Sequence, residues 1–122
     1  MSDLPVRAFK SAWFAKAARK TGIADATLCK ALDQAMAGQA DDLGGGVFKK
    51  RLSDGNYRSI LLAKGGRYRV YEYLFAKQDR ATIDEGELKA FRQLAKAYAA
   101  LTFEQVDALV AGRDWIEICQ GM

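Results

Sequence analysis

GGGVFKKRLSDGNYR, residues 44–58, holds the change of pattern that decides the fold. Before Gly38 the apolar residues recur at helical spacing. From Val47 onward they recur at the period of two that a strand imposes. Ser53-Asp54-Gly55-Asn56 lies between two such runs and is a hairpin turn signal. Residues 47–52, 57–64 and 67–77 are rich in Val, Tyr, Ile, Leu and Phe, and Gly65-Gly66 separates the second from the third. They predict a three-stranded antiparallel meander. Gly44-Gly45-Gly46 precedes a strand rather than opening a helix, so neither nucleotide-binding fingerprint applies, and the run is read as backbone freedom where helices hand over to sheet.

On either side the period is helical. Ser11 can cap a helix to about Lys20 with Gly22 just past its end, and Trp13, Phe14 and Ala17 form its inward stripe. A second helix starts at Asp25 and stops at Gly38, burying Leu28, Leu32, Ala35 and Met36. After Thr82, Asp84 with Glu87 is a capping pattern followed by the stripe Leu88, Phe91, Ala95, Tyr98 and Leu101. Thr102 with Gln105 repeats the signature for a helix ending near Gly112. DWIEIC, residues 114–119, alternates as a short final strand. The expectation is an α+β fold: N-terminal helical hairpin, three-stranded meander, C-terminal helices and a last strand. Its helices lie on one side of the sheet and leave the other accessible.

The chain has 122 residues, half of them apolar, which suits one domain over residues 1–122. It lacks the eighteen or so consecutive apolar residues of a membrane span, and residues 1–10 lack a signal-peptide profile. A cytoplasmic bacterial protein with no membrane partner is expected. The formal charge is +4 and the pI about 9.1, a mild basic excess that favours an anionic partner. There is no histidine, which removes His-based catalysis and the usual zinc sites; no metal and no cofactor are expected. Cys29 and Cys119 have no CxxC spacing and are read as buried apolar thiols.

The hairpin turn sets Arg51 opposite Arg58, with Lys49 on the same face. If Gly65-Gly66 forms the second turn, Arg58 faces Tyr73, and Tyr71, Phe75 and Lys77 share that side. Phe48, Leu52, Tyr57, Leu61, Val70 and Leu74 take the other. Glu72 then lands on the apolar side, so it either pairs with Lys50 or marks a bulge. Like charges directly opposite are destabilising, and a bound polyanion would compensate; basic groups interleaved with aromatics suit RNA, giving phosphate contacts and stacking surfaces. A solvated, purely solubilising face has the same pattern, and both readings stand at this point.

The order of elements, with LGGGVFKKRL, NYR, FAKQDR and TIDEGEL, resembles the RelE/ParE superfamily of bacterial toxins, especially its HigB-like branch, from about Val6 to Leu101. The resemblance implies a type II toxin-antitoxin toxin that cuts mRNA on the ribosome. The ribose 2′-hydroxyl attacks the adjacent phosphate without a metal, leaving a 2′,3′-cyclic phosphate and a 5′-hydroxyl. On this likeness Arg58, Lys49, Arg51 and Lys77 carry catalysis, with Arg58 as phosphate clamp, and Lys50, Tyr73, Phe75, Gln78 and Arg80 bind RNA. Two positions depart from the family pattern: Gln78 replaces an arginine and Asp84 a tyrosine. Their roles would then pass to Lys77, Arg80 and Tyr73. Implied partners are a cognate antitoxin of the helix-turn-helix kind, mRNA and the ribosome. ParE-like gyrase inhibition by binding, or a degenerate toxin that only binds its antitoxin, are the alternatives. Arg58 is expected on an exposed surface where its loss costs little stability.

Overall fold

Ser11 ends one element and starts the next. Its side chain accepts a hydrogen bond from the Phe14 N–H at 3.1 Å, capping helix α1 (Ala12–Thr21), and the residues leading into it form strand β1 (Arg7–Ser11). Gly22, with φ 74°, closes α1 in the left-handed region that glycine reaches without a Cβ clash. Helix α2 (Asp25–Met36) follows and buries Leu28, Cys29, Ala31, Leu32 and Ala35. The periodicity predicts this hairpin but not β1. The computed structural model describes residues 6–120.

The three glycines turn out to join two strands. β2 (Asp41–Gly44) pairs antiparallel with β3 (Val47–Leu52), and all three glycines have positive φ. A Cβ on Gly46 would lie 2.5 Å from Lys64 Cβ, so this turn admits no side chain there. β4 (Tyr57–Leu62) and β5 (Tyr68–Ala76) complete the expected meander. The sheet is twice as wide as that meander: its order is β2-β3-β4-β5-β1-β6, with β1 parallel to β5 and β6 (Trp115–Ile118) antiparallel to β1. Two capping boxes begin helices α3 (Glu85–Ala99) and α4 (Phe103–Ala111), at Asp84 with Glu87 and at Thr102 with Gln105, as the sequence predicts.

Helices cover both faces, which corrects the expectation of one accessible face. α1 and α2 pack with Leu52, Leu61, Tyr71 and Leu74. On the opposite side Val47, Ile60, Leu62 and Phe75 pack with Leu88, Phe91 and Ala95 of α3, and Phe9, Tyr68 and Val70 pack with Val106 of α4. The stripe of α3 is long enough to need an apolar partner, and only the second sheet face is left to supply one.

Register also differs from expectation. The connection from Leu62 to Tyr68 is longer than a two-residue turn, so Leu62 pairs with Val70 and Leu61 with Tyr71; this puts Tyr71 under α1 and α2 and Val70 on the other side. A register shift then falls between Ile60 and Leu61, and Glu72 is the extra residue. The bulge turns the second half of β5 back, so Tyr73 and Phe75 do share a face with Arg58, whose partner is Phe75 rather than Tyr73. Glu72 does not meet Lys50. It accepts a hydrogen bond from the Tyr98 hydroxyl of α3 at 2.7 Å.

Cys29 and Cys119 are joined by a disulfide, with Cα atoms 5.5 Å apart, correcting the reading of two thiols. β6 runs back along β1 and delivers Cys119 to the cluster that holds Cys29. No helix among the described residues is long and apolar enough to cross a membrane.

Candidate functional site

Arg51 and Arg58 do stand opposite each other on β3 and β4. Their fates differ. Arg51 is exposed, whereas Arg58 is only 9% exposed, which corrects the expectation of a surface residue. Its Nη1 donates to Gly55 O at 2.6 Å and to Tyr57 O at 3.3 Å. The reason lies in the turn. Ser53, Asp54 and Gly55 have φ of 51°, 57° and 88°, three left-handed residues in a row that aim a carbonyl back at the strand. These bonds anchor the Arg58 guanidinium in the turn while leaving its charge opposite that of Arg51. They use one nitrogen of the guanidinium. Among the described residues Nε and Nη2 have no protein hydrogen-bond partner.

The other sequence-predicted residues divide into two groups. Lys49, on the face of Arg51 and Arg58, is half-buried and forms an ion pair with Asp41 at 3.7 Å. Lys50 points the other way. It is 8% exposed, and its Nζ donates to Gln39 O at 2.9 Å; burial first and the charge of Arg51 second push its pKa down. Lys49, Lys50 and Arg51 nonetheless line one open cavity of about 360 Å³ with residues 38–41. Lys77 and Gln78 lie beyond the end of β5, both exposed, and line a second cavity of about 410 Å³ with Asn56, Tyr57 and Ala76.

Tyr73, Phe75 and Arg80 form the second group. The Phe75 ring is buried below the Arg80 guanidinium, 5.6 Å from its centroid, and Tyr73 lies 5.8 Å from Phe75 and 5.9 Å from Phe91. Arg80 is held by a bidentate contact with Glu87 and by Thr82 O, which accepts from Nε at 3.0 Å. Glu87 raises the Arg80 pKa through these bonds, and its own is lowered by them. Asp84, standing in the tyrosine position of the family pattern, accepts from the Glu87 N–H at 2.8 Å and serves as a helix cap. Arg80 is therefore committed to the start of α3, whereas Lys77 and Gln78 stand exposed beyond the end of β5.

Trp13 belongs to this neighbourhood and the sequence reading misplaces it. It is 52% exposed rather than part of the inward stripe, and it stacks on Tyr73 with centroids 5.1 Å apart and planes at 28°. Phe14, Ala15 and Ala18 form the buried stripe of α1, and Trp13 lies at its margin, where it meets the sheet only through Tyr73.

The fold and this surface define a class: a small α+β protein whose sheet carries cations and aromatic rings at one end of its central strands. A family model described as the RelE toxin of the RelE / RelB toxin-antitoxin system matches residues 6–118, and the chain belongs to that family. Comparison with curated proteins and with solved structures gives no match to either. Membership implies a toxin of a toxin-antitoxin system, a class that usually inhibits translation, and with it a cognate antitoxin and involvement of the ribosome.

Proposed function

We propose that this chain is an mRNA endoribonuclease that cuts messages on the ribosome and needs no metal. The observation that carries the reading is Arg58: the turn carbonyls fix Nη1, while Nε and Nη2, the edge that binds a phosphate through two parallel bonds, have no partner among the described residues. The 2′-hydroxyl oxygen attacks the adjacent phosphorus and gives up its proton to a base as the phosphorus–O5′ bond breaks. O5′ takes a proton, and the products are a 2′,3′-cyclic phosphate and a 5′-hydroxyl. Arg58 and Arg51 stabilise the charge that develops on the phosphorane oxygens. Lys49 and Lys77 hold the flanking phosphates. Lys50 lies on the other face of β3, with its Nζ donating to Gln39 O, and lines the cavity it shares with Lys49 and Arg51, where it adds positive charge beside the RNA. Gln78, Tyr73 and Phe75 contact the RNA or support its path.

The HigB-like likeness of LGGGVFKKRL and FAKQDR supports an antitoxin of the helix-turn-helix type. The test is induced expression followed by primer-extension mapping on a translated message. Cuts that require translation, together with amino-acid uptake falling before thymidine uptake, are expected. The reverse order with a DNA-damage response would replace this reading with gyrase inhibition.

A further inference from the structure

We propose that Trp13 is a stacking platform for a nucleobase next to the cleaved phosphate; this rests on the RNA-cutting reading above and extends it to a residue in α1. β1 stops pairing with β5 at Lys10–Tyr71, so β5 from Glu72 to Ala76 has no strand partner on that side. The first turn of α1 swings across this gap. Trp13 lands on Tyr73 and leaves its second ring face to solvent.

Three large apolar side chains among the described residues are exposed, and Phe103, one of them, is covered by the Arg67 guanidinium at 5.6 Å. Val6 lies just before the start of β1. Trp13 is the most exposed of the three and has no such cover. Its place is also specific. Arg51, Arg58 and Phe75 are cross-strand neighbours in one row, Phe75 touches Tyr73, and Tyr73 touches Trp13. A phosphate held by Arg58 is thus two ring-to-ring steps from an open indole face. Cations that track a backbone, followed by an aromatic ring, are the requirements of single-stranded RNA, and any base can supply the π-face. Charge complementarity favours RNA over an apolar protein segment, because the row leading to Trp13 begins with two arginines.

The test uses Trp13→Ala and Trp13→Phe in two assays. On translating ribosomes, Trp13→Ala is expected to lose roughly ten- to a hundredfold in cleavage, and Trp13→Phe to stay within roughly threefold of wild type, since another ring can still stack. Both should melt close to wild type. Trp115 is 2% exposed, so tryptophan fluorescence reports stacking at Trp13. A hexaribonucleotide should quench it, and the same oligomer with an abasic residue at the stacking position should quench less. Absence of quenching in wild type overturns the platform whether or not messages are cut. Cleavage by wild type in that preparation would then leave the RNA-cutting reading standing without it. Loss of antitoxin binding in Trp13→Ala with cleavage intact would also overturn it, assigning the surface to the antitoxin.

Discussion

The two faces of the sheet are covered in different ways. Under α1 and α2 the packing is continuous: α2 alone buries five side chains, Phe14 stacks on Tyr71 at 5.1 Å, and the disulfide ties α2 to the end of β6. Under α3 the packing is thin, with Ala95 the one buried residue of a fifteen-residue helix. Capping boxes and polar bridges hold that side, among them Arg92 Nε to Gly44 O at 3.3 Å and the Arg80–Glu87 pair. The cations and open rings gather at the margin of the second face. The second face still buries two clusters, around Ile60 and around Phe9, but its α3 cover is half-exposed and its margin carries charge.

The largest effect should come from the sealed face. Cross-linking residues 90 apart restricts the unfolded chain, and loop entropy gives about 4.6 kcal/mol as an upper figure where disulfides typically deliver about 2–4 kcal/mol. Reduction, or Cys29→Ser, should lower the melting temperature by on the order of 10 °C. Melts in the presence and absence of reductant measure it. In a reducing cytoplasm the same loss would apply to the working protein. Equal melting of oxidised and reduced chain would break the comparison of the two faces.

Arg58→Ala tests the margin. Removing a guanidinium that stabilises a phosphorane should lower cleavage by roughly a hundredfold or more. It should also cost stability, about 1.5–3 kcal/mol, because charged hydrogen bonds to the turn carbonyls are lost. Calorimetry beside a ribosome cleavage assay well below the melting point separates the two. A variant that melts lower yet cuts at full rate would make Arg58 a turn residue only.

How much of this was legible in the sequence depends on how local each cause is. Caps at Ser11, Asp84 and Thr102 involve partners three residues away, and all were readable. So was the Arg51–Arg58 pairing, which a short turn fixes. β1 was missed because its parallel partner β5 is some sixty residues away and its five residues show little alternation. β2 was missed because Asp-Asp-Leu-Gly has poor strand propensity and forms only at the edge of a finished sheet. The disulfide leaves no spacing signal. Glu72 was different: its conflict with the expected face was visible and left two readings, of which the bulge is observed and the pairing with Lys50 is not. At the site, charge was legible but commitment was not. That Lys49 is paired with Asp41, Lys50 with Gln39 O and Arg80 with Glu87 depends on tertiary placement.

Arg51 sharpens this last distinction, being the exposed member of the opposed pair. Arg51→Ala should reduce cleavage by roughly tenfold, the effect of one charge-assisted phosphate contact. Its melting temperature should hold or rise slightly as repulsion with Arg58 disappears. A drop of several degrees would mean that Arg51 supports the fold.

The smallest effect concerns Glu72, wedged between the sheet bulge and Tyr98. Burial raises its pKa, and the hydrogen bond from the Tyr98 hydroxyl opposes that shift only in part. The sign follows from linkage. A carboxyl whose native pKa is above its unfolded value contributes stability that is fully present below the unfolded pKa and is lost as pH rises through the native one. At neutral pH the wild type therefore holds a half-buried charge at a cost. Glu72→Gln keeps an acceptor for Tyr98 and removes that charge, so it should melt as high as wild type or higher at pH 7. The advantage should vanish as pH falls through the raised native value and the wild-type carboxyl takes up its proton. Melting curves of both proteins from pH 4 to 8 measure this. An advantage that grows on acidification would mean that the negative charge of Glu72 is not a burden, and that the polar wedge under α3 strengthens the thinner face.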